Sequence, residues 1–173
     1  IIRTSGIAES KLAEKVEELM SSHRKDFSFS FLPSYRGVDF ILKSHRTDSD
    51  INKVSMEFYD IMQPYSFGFN HDSFADFIIN ELSNKNISIS LAESCTGGLL
   101  GKLLTDIPGS SKVFNGGIIA YNNFIKVNQL NISKEKLNKY GAVSSQVAKE
   151  MASNVKDIFK SNLGISITGI AGP

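Results

Sequence analysis

The stretch Ala92-Glu93-Ser94-Cys95-Thr96-Gly97-Gly98 constrains this chain more than any other. It is a knot of small polar residues between two apolar segments. Before it, Ile87-Ser88-Ile89-Ser90-Leu91 alternates as a half-buried strand does; after it, Leu99, Leu100, Leu103 and Leu104 recur at helical spacing. A strand, a tight turn and a helix start place Ser94 at the carboxyl edge of a sheet. A helix N-terminus there offers unpaired N–H groups and partial positive charge. That setting suits attack by Ser94 on an amide carbonyl, with the Thr96-Gly97-Gly98 backbone as donors to the oxyanion. Serine needs an adjacent base. Cys95 is the rival nucleophile. Glu93 either sets the turn or holds a neighbouring amide, and is left unassigned.

Strands alternate with helices from Asp72 onward, which indicates α/β architecture. The spacing predicts a helix over 73–84, a strand over 87–92, a helix over 96–105 and a turn at Pro108-Gly109-Ser110-Ser111. A strand over 113–121, helices near 123–130, 134–140 and 145–160, and a strand over 164–168 complete the pattern. Residues 1–70 read as a separate small α+β sandwich with a three-stranded sheet. Its helix over 9–23 carries Leu12, Val16, Leu19 and Met20 on one face. Phe27, Phe29 and Phe31 alternate along a strand that ends at Pro33-Ser34. A second strand runs from Val38 to Lys43. Thr47-Asp48-Ser49-Asp50 resembles a capping box for a helix with Ile51, Val54, Phe58 and Ile61, closed by Pro64, before a third strand from Tyr65 to Phe69.

Composition narrows the function classes. Residues 1–70 hold nine Lys/Arg against ten Asp/Glu, and residues 71–173 hold ten against eight. Neither part is the basic body that phosphate-backbone binding favours, so no nucleic-acid partner is expected. His23, His45 and His71 have no ligand spacing, so neither a metal nor another cofactor is expected. No apolar run reaches the roughly 20 residues that span a bilayer. No membrane partner is expected, and a cytoplasmic location is the simplest reading. Cys95 is the only cysteine, which agrees with a reducing compartment. The chain starts without Met and stops within a Gly-rich turn, which reads as a fragment, truncated at its carboxyl end. Gly98-Leu99-Leu100-Gly101 matches a GxxG loop only formally, since it lies in an apolar helix with no basic residue inside it.

Six separated motifs occur in order: 92–98, 108–111, Gly116-Gly117, Tyr121-Asn122-Asn123 with Lys126, Gly141-Ala142-Val143-Ser144, and Thr168-Gly169-Ile170-Ala171-Gly172-Pro173. They make residues 71–173 resemble the carboxy-terminal domain of the CinA (competence/damage-inducible) family, whose activity is nicotinamide mononucleotide deamidation. Residues 1–70 resemble the KH-type linker domain that precedes it, through Gly6-Ile7-Ala8-Glu9-Ser10 and the element order. The resemblance implies a hydrolase of pyridine nucleotide salvage that converts nicotinamide mononucleotide and water to nicotinic acid mononucleotide and ammonia. Ser94 looks like the nucleophile, Lys126 like its base, Tyr121 like an orienting group and Thr168 like a further polar site residue. The family's functional arginine would fall after Pro173.

A free lysine is only about 0.04% neutral at pH 7. Burial of Lys126 among Tyr121, Phe124 and Ile125 would lower its pKa and make it a base. The substrate phosphate is expected at one of two turns, Gly109-Ser110-Ser111 or Gly169 to Gly172 with Ala171. A homo-oligomer that binds a small-molecule nucleotide is the expected assembly, and the alternative is a nucleotide- or nucleic-acid-binding module without turnover.

Overall fold

The computed structural model describes residues 1–46, 50–170 and 172. Two compact units divide at residue 77: Ile1–Phe77 and Ile78–Pro173.

In the first unit, β1 (Ile2–Thr4), α1 (Glu9–His23), β2 (Phe27–Ser34), β3 (Gly37–Ser44), α2 (Ile51–Ile61) and β4 (Ser66–Phe69) follow one another. Among the described residues the sheet has four strands in the order β2-β3-β1-β4, all antiparallel, not the three expected. The added strand is β1, which inserts between β3 and β4 with Ile2 opposite both Phe40 and Phe69. α1 buries Leu12, Val16 and Met20, and α2 buries Val54 and Phe58. These side chains share one core with Ile2, Phe27, Phe40 and Leu42. The proposed capping residues Thr47, Asp48 and Ser49 lie outside the described residues. Asp50 is the N-cap of α2, its carboxylate accepting from Lys53 N–H at 3.0 Å.

α3 (Phe74–Asn84) crosses the boundary between the units. The second unit continues with β5 (Ile89–Glu93), α4 (Leu99–Thr105), a 3-10 turn (Ser110–Lys112), β6 (Phe114–Ile119), α5 (Asn123–Asn128), α6 (Lys134–Tyr140), α7 (Ser145–Ile158) and β7 (Leu163–Ile167). Among the described residues its three strands are parallel, in the order β6-β5-β7. The fold is mixed α/β.

β5 is central, and all five of its residues are buried. A parallel strand covered on both faces needs apolar side chains on both, and β5 supplies them. Ile89 and Leu91 pack with Ile79, Leu104 and Val113, while Ala92 packs with Ala120, Val147, Met151 and Val155. Fully burying each large apolar side chain contributes about 1.5–3 kcal/mol. Ser90, also buried, donates to the Val155 carbonyl at 3.1 Å. α4 starts at Leu99, three residues later than its apolar spacing suggests. Gly97 and Gly98 take φ of 60° and 99° and hold residues 96–98 in the turn. No helix among the described residues is long and apolar enough to cross a membrane.

Candidate active site

Ser94 follows the last residue of β5 directly, so its position is fixed by the sheet. Its backbone N–H donates to the Ile167 carbonyl at the end of β7, at 2.9 Å, and the preceding Glu93 carbonyl accepts from Ala120 N–H at 2.6 Å. The residue is only 6% exposed.

Lys126 comes from the other direction, on α5. This helix begins with Asn122 as its N-cap, whose side chain accepts from Phe124 N–H at 2.8 Å. One turn in, Lys126 points inward and is 1% exposed. Its Nζ donates to Ser94 Oγ at 3.0 Å, to the Ala120 carbonyl at 2.6 Å and to the Tyr121 carbonyl at 3.4 Å. A buried ammonium without a carboxylate partner is disfavoured. Burial therefore pulls the Lys126 pKa down from its ordinary value, and the nearby Cys95 thiol opposes this in part. In the neutral amine, two N–H groups can serve the two carbonyls, which leaves the nitrogen lone pair for the Ser94 hydroxyl proton.

The other residues singled out from sequence take different places. Gly169 lies beside Cys95, the residue after Ser94, since a Cβ there would come within 3.0 Å of Cys95 Sγ. Thr168 Oγ1 donates to the Ala142 carbonyl at 2.9 Å and borders a depression of about 370 Å³ with Val143, Ser144, Ser145 and Ala148. Tyr121 contributes its carbonyl to Lys126, while the residue as a whole is 68% exposed.

Gly109, Ser110 and Ser111 are not part of this site. They precede β6, and β5 and β6 run parallel with Ile89 opposite Phe114. They therefore sit at the amino edge of the sheet, a strand length of roughly 16 Å from the edge that carries Ser94. Ser110 is instead buried in the 3-10 turn, its N–H donating to the Ile107 carbonyl at 3.1 Å. Gly172 is described and exposed, whereas Ala171 lies outside the described residues.

The oxyanion donors expected at Gly97 and Gly98 are already committed. Gly97 N–H donates to the Ser94 carbonyl at 3.1 Å and Gly98 N–H to the Glu93 carboxylate at 3.1 Å. The helix N-terminus thus already carries an anion, from within the chain. Among the described residues, the N–H groups of Cys95 and Thr96 have no acceptor. Of the two roles the sequence left open for Glu93, the structure shows it holding the turn through backbone N–H groups, whereas sequence reasoning missed the roles of the Ala120 and Tyr121 carbonyls. The signal for Glu93 was a carboxylate at the end of a wholly apolar strand face, facing a helix whose Gly98 N-cap has no side chain. The carbonyls left no signal, because every residue carries one. Among the described residues, no group of three or more His, Cys, Asp or Glu is placed to hold a metal ion.

A parallel α/β unit with a buried Ser–Lys pair at the carboxyl edge of its central strand defines the class of site. Comparison with known proteins gives the family: residues 71–173 match the CinA C-terminal domain, and the chain belongs to the CinA family. It is 41% identical to a CinA-like protein of Prochlorococcus marinus strain MIT 9312 over 99% of its length, and 38% identical to one of Dictyoglomus thermophilum over 100%. It spans 41% and 43% of those two proteins. Among solved structures, the competence/damage inducible protein of Agrobacterium tumefaciens matches with a TM-score of 0.56 and 41% identity, over 57% of this chain and 60% of that one. A CinA superfamily protein of Escherichia coli matches with a TM-score of 0.56 and 31% identity, over 57% of this chain and 58% of that one.

Proposed function

We propose that this chain carries the hydrolytic centre of a nicotinamide mononucleotide deamidase, an amide hydrolase of pyridine nucleotide salvage in the cytoplasm. The observation that supports it most is the buried Lys126 amine 3.0 Å from Ser94 Oγ, with no other side chain among the described residues bonded to either group. Ser94 Oγ attacks the amide carbon, its proton passes to Lys126 Nζ, and the carbonyl electron pair moves onto oxygen. Collapse of the tetrahedral intermediate expels ammonia as Lys126 returns the proton to the leaving nitrogen. Water then attacks the resulting ester, with Lys126 again taking the proton, and releases nicotinic acid mononucleotide and the free serine. Tyr121 and Thr168 serve in this scheme as substrate-orienting groups at the rim, and the 169–172 turn is the remaining candidate for the phosphate. Residues 1–70 act as a KH-type-like linker, in keeping with their near-neutral charge.

The test is ammonia release on addition of nicotinamide mononucleotide to the purified protein. Ser94→Ala and Lys126→Ala are each expected to abolish it while thermal unfolding stays cooperative. Full activity in either variant eliminates the pair.

A further inference from the structure

Glu93 is the buried ionisable group that the deamidase chemistry leaves without a task. Strand alternation sends Ser90, Ala92 and Ser94 toward the α7 face of the sheet, and Ile89, Leu91 and Glu93 toward the α4 face. Glu93 is 3% exposed, so its carboxylate must find donors within the protein. Oε2 accepts from Gly98 N–H and Leu100 N–H, both at 3.1 Å, and Oε1 from Gly101 N–H at 2.7 Å. Burial pushes the Glu93 carboxyl up, but the Thr96 hydroxyl and the Gly101, Leu100 and Gly98 N–H groups outweigh it. The group stays below its ordinary value and ionised.

The turn above this carboxylate has little of its own to hold it. Gly97 and Gly98 stand consecutively at positive φ, where glycine is one of several accessible conformers. Short bonds tie the near side: Ser94 N–H to the Ile167 carbonyl, Gly97 N–H to the Ser94 carbonyl and Leu99 N–H to the Thr96 carbonyl. The far side is held by Glu93. Between these anchors lie the Cys95 and Thr96 N–H groups, directly after the nucleophile and without an acceptor among the described residues. On strand-to-helix turns, the N–H of the residue after a nucleophile commonly receives the oxyanion.

We propose that Glu93 is a positioning residue for amide hydrolysis, pinning the turn over 94–101 so that the Cys95 and Thr96 N–H groups stay uncommitted as oxyanion donors beside Ser94. It rests on the Ser94–Lys126 chemistry above. The rival role is a plain helix cap, which would affect stability and not turnover.

Two readouts on the purified protein separate these roles: ammonia release from nicotinamide mononucleotide, and the rate at which a fluorophosphonate labels Ser94. In labelling, the Ser94 Oγ–P bond forms as fluoride leaves, and the hydroxyl proton passes to Lys126. Glu93→Gln is expected to lower kcat about tenfold and Glu93→Ala about a hundredfold, because small displacements of reacting groups cost rate on that scale. KM is expected to stay within about twofold, since ground-state binding is not altered. Ser94 labelling slows in parallel. Leu104→Ala, which loses core packing on α4 without touching the turn, lowers Tm but keeps wild-type kcat and labelling rate. If Glu93→Ala lowers Tm yet keeps wild-type kcat and labelling rate, Glu93 is only a cap and the proposal is overturned. If wild-type Ser94 is labelled but no ammonia forms, the deamidase chemistry fails alone, and the relative labelling rates still decide the role of Glu93. Absence of labelling in the wild type overturns both.

Discussion

Lys126 Nζ holds the Ala120 carbonyl at 2.6 Å, closer than it holds Ser94 Oγ at 3.0 Å. Ala120 is also bonded through its N–H to the Glu93 carbonyl at 2.6 Å, so the amine is anchored to the same backbone that carries Ser94. The pair is therefore a rigid unit, and its chemistry depends on a group able to lose its proton. Lys126→Arg keeps the positive charge, but a guanidinium does not deprotonate near neutrality and its planar fork does not fit three converging acceptors. Ammonia release by Lys126→Arg is expected to fall by about a thousandfold or more, within the range assigned to loss of general-base catalysis combined with misplacement. A steady-state assay checks this.

The depressed Lys126 pKa sets a pH dependence whose sign follows directly. The proposed base is the neutral amine, so kcat/KM is expected to rise with pH through a limb below the ordinary lysine range and then level off. Stability has the same sign. Between the lowered folded value and the ordinary unfolded one, the unfolded chain binds more protons, so stability rises with pH across that window. A pH–rate profile locates the limb, and a limb at the ordinary lysine value removes Lys126 as the base.

Gly98→Ala probes the turn. At φ 99° an alanine is strained by roughly 1–2 kcal/mol, and its Cβ would meet Ile119 Cδ1 at 2.9 Å. Urea unfolding is expected to report a loss of this size. Gly97→Ala keeps its surroundings clear, with nothing within 4 Å, so its cost comes from φ alone.

In the first unit, Phe58 is fully buried, with ring centroids 4.9 Å from Phe40 and 5.2 Å from Phe29. Phe58→Ala is expected to cost about 3–5 kcal/mol by leaving a cavity among these rings. Chemical denaturation with fluorescence or circular dichroism measures it.

Much of the fold was readable from local pattern. The Ile87 to Leu91 alternation located β5, and the three-to-four spacing of Val147, Met151 and Val155 located α7. β1 was not readable. Ile2–Thr4 is too short to show a period, and its partners lie more than 30 residues away. Gly109-Ser110-Ser111 shows the limit of a turn motif. Its composition signals a loop, but only parallel pairing of β5 and β6 decides which edge of the sheet the loop occupies.

Within the site, Ser94 stood out because strand, turn and helix meet there. Lys126 did so only through family resemblance. Between Ile125 and Val127 it reads as an ordinary solvated lysine, and its burial is created by carbonyls that come near only after folding. The helix N-terminus was identified correctly as an anion site, but the anion proved to be Glu93, a residue of the same chain.

β5 lies between β6 and β7, and the Ser94–Lys126 pair is held by backbone at or next to the ends of all three strands. Displacing β6 or β7 from β5 would leave both side chains chemically intact and yet take away their backbone anchors, because Ser94 N–H bonds to Ile167 and Lys126 to Ala120. Under the proposed chemistry, turnover therefore doubles as a gauge of sheet integrity, sensitive to damage at residues far from the reacting atoms.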